Sequence, residues 1–176
     1  MSSNTNLHKA QQVKNDEFYT QYEDIEKELV HYKEHFKGKI VYCNCDDVDK
    51  SQFVKFFRDK FEGYGLNKLI VTGYKINKAT IFTSTDSYTE QIISTDEEYP
   101  VVGDFRSKDC IELLEQSDIV VGNPPFSLFR PFVAMLEQYQ KKFLIIGNKN
   151  AITYKNFFPL IKDNKVWIGY NNVHNF

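Results

Sequence analysis

The stretch IVVGNPPFSLFRPFVAML, residues 119–136, holds the pattern from which the fold is read. Ile119, Val120 and Val121 form a short β-branched run of the kind that makes a buried strand. It runs straight into Pro124-Pro125, where φ is fixed twice and two backbone donors are lost. Ser127 is placed to cap a following helix, with Phe129, Phe132, Val133 and Leu136 on one face. Strand, rigid turn and helix follow one another with no loop between them.

The same alternation extends both ways. From Tyr22, apolar residues at Ile25, Leu29, Tyr32 and Phe36 predict an amphipathic helix that Gly38 ends. Residues 39–43 predict a buried strand. Phe53, Phe56, Phe57 and Phe61 predict a second helix, stopped by Gly63 and Gly65, and residues 68–72 a second strand. Residues 79–102 are rich in Thr, Ser, Tyr and Ile without a helical period, and predict a β-hairpin or irregular insertion. Ser107 predicts the cap of a helix carrying Cys110, Ile111 and Leu114. Residues 143–146 read as a strand, Tyr154, Phe157, Phe158 and Ile161 as a short helical face, and residues 165–169 as a closing strand. Strands alternating with helices predict an α/β fold, a mostly parallel sheet with helices on both faces.

A chain of 176 residues fits one domain. Residues 1–13 are polar and irregular and read as a flexible terminus, with the domain proper at 14–176. The net charge of −2 argues against a surface that grips a duplex all round, since phosphate binding wants a basic face. Lys141, Lys142, Lys149, Lys155, Lys162 and Lys165 gather late in the chain as a local basic patch. Cys43, Cys45 and Cys110 give no disulfide framework, and no run approaches ~18 apolar residues. A reducing, cytoplasmic compartment without membrane attachment is expected. His31 and His35 with Cys43 and Cys45 do not make a zinc set, because the intervening strand separates the pairs by roughly 15 Å against metal–ligand bonds of ~2 Å.

Two strand ends carry polar or constrained residues: Asn44-Cys45-Asp46-Asp47 and Asn123-Pro124-Pro125-Phe126. In a sheet of this kind ligands bind beyond the carboxyl ends of the strands. The Pro-Pro turn presents carbonyl oxygens without competing N–H groups, and the Asn123 side-chain oxygen adds an acceptor. Two convergent acceptors suit an exocyclic aromatic amine, whose two hydrogens need partners, and Phe126 offers its ring a face. Accepting both hydrogen bonds returns electron density to a nitrogen whose lone pair is otherwise delocalised. The absence of a Pro-Cys dipeptide argues against C5 methylation of cytosine, which needs a thiolate.

The NPPF turn after a buried strand resembles the catalytic motif of amino-methyltransferases that use S-adenosylmethionine. With GDFRS at 103–107, YCNCDD at 42–47 and NDEFYTQYEDIEKEL at 15–29, the chain resembles the EcoRI-type adenine-specific DNA methyltransferases from about Lys14 to Tyr170. That resemblance implies a Rossmann-like fold and methyl transfer to N6 of an adenine flipped out of duplex DNA. It assigns Asn123, Pro124, Pro125 and Phe126 to the acceptor amine. It assigns Phe18, Tyr19 and Thr20 to a segment closing over the methionine and adenosine parts of the cofactor. Asn44, Cys45, Asp46 and Asp47 take the place of the first cofactor loop, and Asp104 and Phe105 that of the acid and aromatic that hold the adenine ring.

Two features depart from the family pattern. CNCDD lacks the glycines of the usual first loop, and Thr72-Gly73-Tyr74-Lys75 lacks the acid that takes the ribose hydroxyls. A protein-glutamine methyltransferase uses a similar turn but carries a Gly-rich first loop. No target-recognition segment follows residue 169, so the sequence reads as a truncated catalytic portion that binds duplex DNA weakly by itself. The other reading is a non-catalytic fragment that binds cofactor or a partner.

Overall fold

The computed structural model describes residues 20–171. Its six-stranded sheet comprises β1 (Ile40–Asn44), β2 (Lys68–Thr72), β3 (Lys78–Phe82), β4 (Tyr88–Ile92), β5 (Ile119–Gly122) and β6 (Lys142–Ile145), in the order β4-β3-β2-β1-β5-β6. β1 pairs in parallel with β2 and with β5, and β5 in parallel with β6. Of the two alternatives for residues 79–102, a hairpin forms: β3 runs antiparallel to β2 and to β4, and residues 93–102 follow without a strand.

The central strands are apolar on both faces, as strands covered by helices on each side must be. Val41, Cys43, Leu69, Val71, Ile119 and Val121 enter one core, and Tyr42, Ile70 and Val120 enter the other. The first core is closed by α1 (Tyr22–Leu29), α2 (Gln52–Asp59) and α3 (Phe61–Tyr64) through Ile25, Leu29, Phe53, Phe56, Phe57 and Phe61. The second is closed by α4 (Lys108–Gln116) and α5 (Phe129–Gln138) through Leu113, Leu114, Phe132 and Leu136. A short α6 (Phe158–Lys162) packs Leu160 on the outer side of α5 with Phe129 and Val133. The arrangement is a Rossmann-like α/β fold.

Several local expectations are corrected. The first helix is α-helical only to Leu29 and tightens into a 3-10 turn over Val30–His35, although Phe36 stays buried. The Phe53–Phe61 run breaks at Lys60. The helix after the proline turn starts at Phe129 with Leu128 in the cap position; Ser127 lies inside a 3-10 turn, Phe126–Leu128. Ser107 occupies the cap position of α4 but makes no side-chain capping bond.

Residues 165–169 are not a strand. Trp167 and Ile168 are exposed, and the segment pairs with no strand among the described residues. It is held instead at its end, where the backbone N–H groups of Tyr170 and Asn171 donate to the Glu28 carboxylate at 2.9 and 2.7 Å. Asn171 Nδ2 and the Tyr32 hydroxyl donate there too, and Tyr170 stacks on His31 at 4.3 Å. Burial works against the Glu28 charge, but these donors outweigh it and hold its carboxyl below the usual range.

Candidate active site

From β1 the sheet grows towards β2 on one side, and from β5 towards β6 on the other. The order therefore reverses between β1 and β5, where sheets of this kind leave a ligand crevice at the carboxyl ends. Asn44–Asp47 and Asn123–Phe126 leave the sheet side by side at this point.

The β1 end is built by contacts. Asn44 is buried; its Oδ1 accepts from the Thr72 hydroxyl at 3.5 Å, and that hydroxyl is 2.7 Å from the Tyr42 hydroxyl. Cys45 has φ 76°, a left-handed conformation that favours glycine. The turn after β1 is therefore made by a residue type that rarely takes this conformation. Burial pushes its thiol well up and keeps it neutral. The Asp46 backbone N–H donates to the Thr72 carbonyl at 3.0 Å, tying this turn to the end of β2. The Asp46 side chain is buried, with Oδ1 accepting from the Ser51 hydroxyl. Burial raises its carboxyl to about 7, against the opposing pull of Ser51 and the Asn123 backbone N–H. Asp47 closes a different turn: its carboxylate accepts from the Asp49 N–H at 2.9 Å and pairs with Lys50 at 3.2 Å. Ser51, not an aspartate, caps α2, accepting from the Val54 N–H at 3.4 Å.

The β5 end is built by covalent restriction. Asn123, Pro125 and Phe126 are half-buried and Pro124 is buried. Pro125 is extended, with φ −55° and ψ 127°, and its carbonyl accepts from the Leu128 N–H at 2.9 Å to start the 3-10 turn. No backbone N–H among the described residues takes the Pro124 carbonyl.

The third segment reaches the site through glycines. The Lys75 N–H donates to the Val102 carbonyl at 2.8 Å, and Gly103, at φ 73°, lies against the Gly73 carbonyl so closely that a Cβ would overlap it. This seats Asp104 beside the β1 turn, where its charge acts on Cys45. Arg106 holds the Asp104 carboxylate in a fork of 2.9 and 2.7 Å, with its own N–H at 3.0 Å. Burial opposes the charge, but Arg106 wins and the Asp104 carboxyl lies below its usual range. Three of the roughly four lone-pair positions of that carboxylate are filled. Phe105 is in the second core, edge-on to Phe132 at 5.0 Å.

Of the remaining expected residues, Thr20 is buried with its hydroxyl unpaired among the described residues, while Phe18 and Tyr19 lie outside them. Ser51, Thr72, Gly103, Arg106 and Gly122 also shape this end of the sheet, and none was assigned a role from sequence. Ser51 carried a signal, a cap residue directly before an aromatic helix. Lys141 of the basic patch is engaged structurally, donating at the C-terminal end of α4 to the Glu115 and Ser117 carbonyls at 2.8 and 2.7 Å.

The sequence profile described as adenine-specific methyltransferase EcoRI matches residues 6–176. The chain belongs to that family. It is 50% identical to the type II methyltransferase M.EcoRI of Escherichia coli, over 96% of this chain and 56% of that protein. It is 40% identical to M.MpnI of Mycoplasma pneumoniae and 39% identical to M.MgeORF184P of Mycoplasma genitalium, over 93% of this chain and 50% of each. The chain spans about half the length of these relatives. No solved structure gives a significant match. Segments 44–47 and 123–126 follow adjacent strands, and Asp104 lies beside the β1 turn. No helix among the described residues is long and apolar enough to cross a membrane.

Proposed function

We propose that this chain is the catalytic portion of a DNA adenine-N6 methyltransferase, with S-adenosylmethionine as methyl donor and duplex DNA carrying a flipped adenine as acceptor. The observation that carries this reading is the Asn123-Pro124-Pro125-Phe126 turn at the β5 end, beside the β1 turn at the switch point. Asn123 and the Pro124 carbonyl accept the two hydrogens of the N6 amine, and Phe126 faces the base. The bound cofactor supplies an electrophilic methyl group on a sulfonium. The protein holds the amine in line, raises its electron density through the two acceptors, and lets one amine proton leave after transfer.

The crevice suits such a cofactor. The Asn44 side-chain nitrogen and the Thr20 hydroxyl are buried without hydrogen-bond partners among the described residues, which a polar ligand would complete. Asn44, Cys45 and Asp47 stand on the β1 side, and the reading assigns Phe18, Tyr19 and Thr20 to the cofactor as well. Asp104 keeps one acceptor position unfilled among the described residues for the adenine of the cofactor, while the Phe105 ring packs in the core behind it.

The test is cofactor binding. At a hundredfold excess over its dissociation constant the cofactor should stabilise the chain by about 2.7 kcal/mol, roughly 5–10 °C in Tm. Flat calorimetry and no shift at millimolar cofactor would refute the assignment. A second reading is a portion that binds cofactor without transferring the methyl group. Cofactor binding without methyl transfer to any duplex would select it.

A further inference from the structure

Asp46 sits between the two halves of the crevice and does not face outward as a free ligand would. It is 7% exposed. Its backbone is fixed to the β2 end through the Thr72 carbonyl, and its Oδ1 is fixed to the start of α2 through Ser51. Oδ2 is pressed against Gly122, the last residue of β5, where a Cβ would overlap it. The Asn123 N–H lies close enough to favour the charged carboxylate, although Oδ2 makes no full hydrogen bond.

We propose that Asp46 is a positioning residue for the Asn123 turn: its carboxylate, braced by Ser51, sets where the backbone of Gly122 and Asn123 lies. Gly122 is required at that position because any side chain would displace the carboxylate. The catalytic consequence rests on the methyl-transfer reading above; the mechanical coupling does not.

The groups that face Asp46 leave its charge uncompensated. From β1 and its turn come the thiols of Cys43 and Cys45 and the carboxylate of Asp47, from α2 the Ser51 hydroxyl, and from β5 the backbone of Gly122 and Asn123. Lys50, the nearest cation in sequence, is paired with Asp47. The carboxyl therefore titrates near 7, and its protonation alters the pull on the Asn123 N–H.

The decisive measurement is amide NMR of the cofactor-free 176-residue chain across pH. The Gly122 and Asn123 amides should shift with a midpoint near 7, together with the Asp46 carboxyl carbon, and stop shifting in Asp46→Asn. Gly122→Ala should perturb the same amides strongly in the native background and much less beside Asp46→Ala, a non-additivity expected of groups in contact. In a transfer-competent form, Asp46→Asn should lower kcat on the order of a hundredfold, as a turn displaced by about 1 Å would. Cofactor affinity should change less than about threefold. Amides that ignore Asp46, with Gly122→Ala and Asp46→Ala effects that simply add, would overturn the proposal. So would a loss confined to cofactor affinity, which would make Asp46 a ligand. A wild-type chain with the amide coupling but no cofactor binding would support the strut while removing the methyltransferase reading.

Discussion

The two strand ends that flank the crevice obtain their shapes by opposite means. After β5, Pro124 and Pro125 fix the shape of the turn covalently, and neighbours such as Asp46 set only where it sits. After β1, a cysteine stands at φ 76° and an aspartate lies buried without a cation, held there by Thr72, Ser51 and Gly122. A covalently fixed turn keeps its shape when its surroundings change and shifts as a unit. A turn held by contacts transmits such changes. The acceptor side of the site is thus rigid by composition, and the cofactor side is rigid only while the fold is intact.

Asn123→Ala offers the largest effect on this contrast. Removing one acceptor at a proline-fixed turn should leave the backbone in place, so methyl transfer should fall about 10²–10³-fold with cofactor affinity nearly unchanged. Single-turnover transfer beside cofactor titration measures both. Equal loss of the two would mean that this turn, too, depends on its side chains.

Ser51→Ala probes the other end. It removes the cap of α2 and a partner of Asp46 Oδ1, and should destabilise the chain by roughly 2 kcal/mol, about half from each loss. Denaturant unfolding measures it. The remaining Asp46 carboxyl should titrate higher still, since the Ser51 bond now draws it down. A folded-state carboxyl raised above its unfolded value favours folding at low pH, and that contribution fades between about 4 and 7 as the carboxyl ionises.

Cys45→Gly is the smallest and has the opposite sign. Relief of a left-handed cysteine is worth ~1–2 kcal/mol, and the added freedom of glycine in the unfolded chain takes back ~0.5–1. A net gain of ~0.5–1 kcal/mol in unfolding free energy is expected. A loss would mean that the thiol packing outweighs the backbone strain.

The same contrast explains what the sequence made legible. The β5 turn could be read because prolines write their geometry into the chain, and the apolar runs of β1, β2 and β5 announce strands covered on both faces. The hairpin was visible from its β-rich composition. Cys45 could not be read as left-handed, since its conformation is imposed by residues near 72 and 122. Nor could the fork of Arg106 on Asp104, because an acid beside a crevice looks the same in sequence whether its oxygens are open or filled. Residues 165–169 failed for a related reason. The alternation of Val166 and Ile168 describes a strand-like chain, but a strand also needs a neighbour to pair with, and here the backbone beyond it goes to a carboxylate.

That carboxylate, Glu28, has a consequence for how the polypeptide could be re-threaded. It brings the backbone at Asn171 onto α1, whose first residue, Tyr22, lies six positions and so about 9 Å before Glu28. All six strands run between these two points. A new peptide joint from Asn171 to the start of α1 would have to bridge on the order of 10–15 Å, which about four or five extended residues cover. A circularly permuted chain opened in the exposed hairpin loop between Phe82 and Tyr88 would keep every sheet pairing, and Glu28 would then brace a continuous stretch of backbone rather than two separate ones.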